Sequence, residues 1–305
     1  MAEKERCGSG LPIHRKQDTN PLNRITVHEK GDLVYLTFPI LEKMEGIIHG
    51  FSTRLGGVSQ GDVGSMNLSY SREPSRENVR ENHRRLAEAL GYEPESMVWS
   101  DQTHTTHVRA VTEADRGIGY DRPLPYRDVD GLITNVPGIP LVTFYADCVP
   151  LLLVDPVHRA VGCSHSGWRG TVENMGGATL RAMAKAYGTD PADVRAAIGP
   201  SICQDCYEVS RDVISRFQEA YEEKDWPLLF YEKENGKYQL NLQAEFYPGG
   251  SAGGTDQYAG SVHLLQSRTA FFPSGIRREK GKSGSGPDAE ADGNIRKKRR
   301  NVRCT

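Results

Sequence analysis

The chain has 305 residues and a formal net charge of −2, which gives no basic surplus for nucleic acid and no pull towards an acidic membrane surface. It has no run of about 18 apolar residues, so no transmembrane helix is expected. The charged start MAEKERCGSG lacks an apolar h-region, and six cysteines are too few for a disulfide scaffold; both point to a reduced chain in the cytoplasm.

Residues 1–24 are polar and are expected to be disordered. ITVHEKGDLVYLTF reads as a hairpin around Lys30-Gly31-Asp32. GIIHGFSTRLGGVSQGDVGSMNLSY is a short strand followed by a Gly- and Ser-rich loop, long enough to be functional or disordered. SRENVRENHRRLAEALG is a helix with Ser75 as N-cap, Val79, Leu86 and Leu90 on one face, and Gly91 as its stop. MVWSDQTHTTHVRAV gives two short strands around a polar turn. DGLITN, PLVTFYAD, PLLLVDP and AVGCSHS are further strands, some apolar throughout and so covered on both faces. TVENMGGATLRAMAKAYG is a helix with Leu180, Met183, Ala184 and Tyr187 facing inward. VRAAIGP is a strand, and SRDVISRFQEAYEE a helix capped by Ser210.

These elements define the fold class as α/β, a single mixed-sheet domain with flanking helices over residues 25–243. From about residue 247 there is no sustained period of 2 or 3.6, and Gly, Ser and charge dominate. Residues 244–305 are therefore expected to be a disordered tail.

Three residues are candidates for one metal: His104, Cys148 and His165. Each lies at or near a predicted strand end, where side chains of different strands converge. Zn²⁺ takes thiolate and imidazole in tetrahedral geometry, and a catalytic site keeps one of four positions open. The wide separations match no zinc-finger spacing. Taken singly, a cysteine such as Cys148 in an apolar strand is most often a small buried hydrophobe, and a histidine beside a Gly-rich turn is most often a structural hydrogen-bonding group. Arg169 and Gly170 lie just before a predicted helix, whose free N–H groups attract anions. Arg54 is a second candidate anion contact, since guanidinium binds phosphate bidentately. Asp147 could orient a metal-bound histidine or act as a general acid/base; set in an apolar strand, it is expected to be buried and must have a partner, because burying an unpaired carboxylate is costly. Cys203 and Cys206 form a lone C-x-x-C, a redox pair or half of a zinc site.

The segments HGFSTRLGGVS, MNLS, DQTHTTHV, DGLITN, ADCVPLLLVDP, HSGWRGT and AAIGPSICQDCYEV follow one another in this order. Together they resemble the YfiH/LACC1 family, also known as the polyphenol oxidase or purine nucleoside phosphorylase family, over residues 25–242. The resemblance implies an α/β/α-type domain with a mononuclear zinc held by His104, Cys148 and His165. It implies phosphorolysis of adenosine, inosine and S-methyl-5'-thioadenosine, with associated adenosine deamination. Small-molecule nucleosides and phosphate are then the expected partners, with no nucleic acid and no membrane. In that setting Arg54 and Arg169 would hold phosphate, and Asn67 would hydrogen-bond base or sugar. Copper-dependent laccase chemistry is the alternative. A multicopper site needs about ten histidines, many in H-x-H pairs, whereas this chain has nine and no H-x-H.

The family motifs stop after about residue 243, and a shifted reading frame is one account of the tail. With suitable codons from Val262 onward, reading one base later yields CTCCNPELLFSH, similar to the family's CTCxNPxLFFSHR. On that account the domain lacks apolar closing elements, and the chain is expected to fold poorly or to be inactive.

Overall fold

In the computed structural model, residues 25–244 are described, together with three short strands, His14–Arg15, His263–Gln266 and Thr269–Ala270. The expected disorder of residues 1–24 and 244–305, and the shifted-frame reading of the tail, otherwise lie outside the described residues.

β1 (Thr26–Lys30) and β2 (Leu33–Thr37) pair antiparallel across a turn whose Gly31 takes φ +60°, and β3 (Phe51–Ser52) pairs with β2. The Gly/Ser loop that follows is ordered. Buried Asn82 accepts Val58 N–H and donates to Ser59 Oγ and to the carbonyls of Ser65 and Asn67. Asn82 lies on α1 (Arg76–Leu90), which starts at Ser75, whose hydroxyl accepts Asn78 N–H, and stops at left-handed Gly91.

The buried imidazole of His83, also on α1, donates from Nε2 to the Leu68 carbonyl at 2.9 Å and packs against Trp99 and Tyr120. Burial pulls its pKa from 6.5 down to about 4. The unfolded chain therefore binds the extra proton, and stability should fall as pH drops from 6.5 to about 4. The expected loss is about 3 kcal/mol. Urea unfolding of the wild type and His83→Gln across this range checks it; equal pH slopes would show that His83 does not contribute.

Next come β4 (Val98–Trp99), β5 (Val108–Ala110), β6 (Gly131–Thr134), β7 (Leu141–Val142), β8 (Val149–Asp155), β9 (Ala160–Ser166), α2 (Trp168–Val172), α3 (Met175–Tyr187) and β10 (Arg195–Ile198). β11 (Glu208–Val209), α4 (Arg211–Ala220), β12 (Phe230–Glu232), β13 (Tyr238–Leu240) and β14 (His263–Gln266) complete the chain's main elements. The central sheet has the order β14-β10-β8-β9-β6-β5. Its β10-β8-β9-β6 pairings are antiparallel, while β5 and β14 add parallel edges.

Period-2 alternation explains why β8 is apolar throughout. Leu151 and Leu153 join Met175, Leu180 and Met183 of α3 in one buried cluster. Leu152 and Val154 face the other way, against Ile25, Leu36, Phe38 and Leu41. One face of the sheet is thus covered by helix. The other is covered by the β1–β2 hairpin and the short helix Pro39–Glu42 rather than by a long helix. The mixed α/β class stands, with this sheet layer replacing one helical layer of the expected sandwich.

Several local expectations need correction. The strand predicted at PLVTFYAD covers only Leu141–Val142, and the chain leaves the sheet before Cys148. The helix predicted from Thr171 is broken, because Asn174 is left-handed and its side chain caps α3 by accepting Gly177 N–H. Arg169 and Gly170 therefore lie inside the short helix α2, not ahead of a helix. Ser210 makes no cap bond, since its hydroxyl turns to the Asp212 carboxylate. No described helix is long and apolar enough to cross a membrane.

Candidate metal centre

The register of the central sheet gathers the candidate ligands at one end. In β9, His165 lies opposite Pro150 and Ser166 opposite Val149, so the end of β9 sits beside Cys148. Ser164 lies opposite Gly131, which places Asp130 at the same end. His104 comes from the loop between β4 and β5. The ligand atoms of His104, Cys148 and His165 all lie within 4.8 Å of one another. Cys148 Sγ is 3.8 Å from His104 Nε2, close to the N···S edge of about 3.6 Å in a tetrahedral zinc site. His104 is exposed, Cys148 half-buried and His165 buried, so the cluster opens to solvent on the His104 side.

Asp130, fully buried, organises this cluster. Its carboxylate accepts His165 Nδ1–H at 2.8 Å, which leaves His165 Nε2 as the ligand nitrogen. It also accepts the backbone N–H groups of Thr103, His104 and Thr105, each at 3.0 Å, and the Thr105 hydroxyl at 3.1 Å. These bonds hold His104 in the left-handed region, at φ +68°, where a non-glycine residue is uncommon. Burial raises the Asp130 pKa, but the bonds from His165, Thr105 and Thr103 outweigh it and keep the carboxyl below its usual range. Burial, helped by the charges of His165 and Arg169, pulls the His104 imidazole down and favours the neutral, ligating form.

Three more groups frame the site. The Gln102 amide bonds both backbone groups of Phe144, at 2.7 Å each, and ties the His104 loop to the segment leading to Cys148. The Tyr145 ring packs on His165 at 5.7 Å, and its hydroxyl donates to the Ser164 carbonyl. Gly167 lies so close that a Cβ there would come within 2.6 Å of His104 Cδ2 and 3.0 Å of Cys148 Sγ. The donor set, the oriented imidazole and this close approach all fit a single bound metal ion. Among the described residues it is the one group of three or more such ligands.

The other candidates fall in different places. Asp147 is exposed; its carbonyl accepts Ile202 N–H, and the carboxylate that orients a histidine is Asp130. The expectation of a buried, partnered Asp147 is thereby corrected. Arg169 is exposed, with its guanidinium 5.1 Å over the Trp168 ring and its charge felt at His104. Arg54 donates to the Gly64 carbonyl across its own loop. Asn67 uses both amide groups on Ser69, one donating to its carbonyl and one accepting its N–H. Sequence reasoning missed Asp130, Gln102, Tyr145 and Gly167. The available signal for Asp130 was an acid directly ahead of an apolar strand.

Fold and site define a mixed α/β protein with one candidate three-ligand metal centre among its described residues. The chain belongs to the family described as "Multi-copper polyphenol oxidoreductase laccase", whose model matches residues 48–285. That match passes residue 243, so the likeness is not confined to the motifs of residues 25–242. A relative named purine nucleoside phosphorylase YlmD, from Bacillus subtilis (strain 168), is 34% identical over 243 residues, 78% of this chain and 86% of the relative. A protein named adenosine deaminase RL5, from an unknown prokaryotic organism, is 33% identical over 205 residues, 67% of this chain and 77% of its own length. The crystal structure of Bacillus licheniformis hypothetical protein YfiH superposes with a TM-score of 0.63 at 30% identity, covering 72% of this chain and 81% of that one.

Proposed function

We propose that the chain is a purine nucleoside phosphorylase with associated adenosine deaminase activity, and that His104, Cys148 and His165 hold one zinc ion. The substrates are adenosine, inosine and S-methyl-5'-thioadenosine, with inorganic phosphate as co-substrate. The observation that carries this reading is the solvent-open convergence of two imidazoles and a thiol beside an exposed arginine, in a chain whose relatives bear those two names.

A zinc ion there would supply Lewis acidity and a position open to a fourth ligand. The chain's own groups do the rest. Asp130 fixes the His165 tautomer and the backbone of His104. Arg169, at the open side, binds phosphate and sets it to attack the ribose anomeric carbon as the base departs. Arg54 supplies a second cation from its loop. Asp147, exposed beside Cys148, is the carboxylate placed to move a proton to or from the purine. Asn67 shapes the loop that bears on base or sugar.

Three measurements test this. His104→Ala, Cys148→Ala and His165→Ala should each lose the roughly one zinc per chain that the wild type retains after dialysis. Adenosine should yield adenine and ribose 1-phosphate only when phosphate is present. Arg169→Ala should raise the KM for phosphate about tenfold or more and keep its metal. Full metal retention in all three ligand variants would sink the metal assignment, and phosphate-independent base release would sink the phosphorylase. The family description favours copper polyphenol oxidase chemistry as a second reading. Oxygen consumption with a phenol by copper-loaded protein, together with no phosphorolysis, would select it.

A further inference from the structure

The C-x-x-C pair Cys203/Cys206 is not among the candidate metal ligands, yet the backbone that carries it is already closed for another chemistry. Cys203 precedes a single turn of 3₁₀ helix, Gln204–Cys206, and its carbonyl accepts the N–H groups of Cys206 and Tyr207, both at 3.1 Å. A closed four-residue turn keeps its end Cα atoms within about 7 Å, and a disulfide spans Cα separations of about 4.4–6.8 Å. The closed turn thus holds the two Cα atoms in a range that overlaps the one a disulfide spans.

The turn is also pinned on both sides. The Tyr231 hydroxyl donates to Asp205 between the cysteines, and the Tyr207 carbonyl accepts Leu240 N–H. Ile202 N–H donates to the carbonyl of Asp147, the residue before Cys148. Both cysteines are half-buried thiols, within reach of a small reagent.

We propose that Cys203 and Cys206 form a reversible dithiol–disulfide site that reacts with low-molecular-weight disulfides. One thiolate attacks a sulfur of the small disulfide, forms a mixed disulfide and releases one small thiol. The second thiolate then attacks the protein sulfur of that mixed disulfide, closes the Cys203–Cys206 bond and releases a second small thiol. The two protons of the protein thiols end on the two released thiols, and the two electrons pass to the reagent. The proposal stands independently of the metal reading.

The sequence supplies a direct test. Trypsin cleavage after Arg195 and Arg211 yields a peptide, residues 196–211, that carries both cysteines and no other. After incubation of the full chain with oxidised glutathione and alkylation under denaturing conditions, that peptide should be unalkylated and lighter by two hydrogens. Dithiothreitol should convert it to the doubly alkylated form. Cys203→Ser and Cys206→Ser should each stop at a glutathione adduct on the remaining cysteine. A doubly alkylated peptide after oxidation, or a disulfide joining either residue to another cysteine of the chain, would overturn the proposal.

Discussion

Asp130→Ala should be among the most damaging single substitutions in the protein. It removes one carboxylate and strands four donors around it, His165 Nδ1 and the backbone N–H groups of Thr103, His104 and Thr105, while the Thr105 hydroxyl keeps the Asp128 carbonyl at 3.0 Å. Each buried donor left without a partner costs about 1–3 kcal/mol unless water reaches it. Some will be reached, because Thr103 and His104 are exposed, so a net loss on the order of 4 kcal/mol is expected. That is a large share of a margin of about 5–15 kcal/mol. Chemical denaturation measures it, and a loss under about 1 kcal/mol would mean that the network does not hold the loop. Asp130→Asn separates orientation from folding. It keeps the shape and one acceptor oxygen but cannot serve both His165 and the backbone donors. Its metal affinity should fall about 10–100-fold with a smaller loss of stability. Wild-type affinity in a chelator competition would refute the orienting role.

Gly167→Ala tests the same centre from the side of space rather than hydrogen bonding. Gly167 has φ −82°, which any residue can adopt, so the substitution brings no backbone strain of its own. The added methyl would lie 2.6 Å from His104 Cδ2, 3.0 Å from Cys148 Sγ and 3.4 Å from His104 Nε2. Contacts that short do not persist, so the imidazole, the thiol or the α2 backbone must shift. Both residues are held from behind, His104 by its loop's bonds to Asp130 and Cys148 by its place directly ahead of β8. The expected result is a loss of metal affinity of about a hundredfold with near-normal unfolding. Retained affinity would show that the two side chains do not meet at Gly167.

Much of the architecture is legible in the sequence because period and caps announce it. β8 reads as buried on both faces from its unbroken apolar run, and Ser75 and Gly91 mark the ends of α1. His104, Cys148 and His165 stand out because a polar residue beside apolar strands needs a reason, and the quoted motifs supply one. Asp130 is hidden because its importance depends on three consecutive N–H groups from a distant loop. Asp147 misleads by adjacency: next to Cys148 on the chain, it is nevertheless exposed, whereas the carboxylate that binds His165 comes from the residue just ahead of β6. Asn174 is missed because a residue in an apparently helical run can turn left-handed and cap the next helix instead.

The two coverings of β8 also bear on how the chain folds as it is made. The hairpin residues Ile25, Leu36 and Phe38 emerge early, yet the surface they cover includes Val154 and Ala197, far along the chain. At synthesis rates of about 5–20 residues per second, that apolar hairpin waits on the order of ten seconds for its partners. During that interval the nascent chain shows β-rich edges and a greasy face to its surroundings. Its vulnerability to aggregation is therefore set by the order of synthesis as well as by the stability of the finished domain.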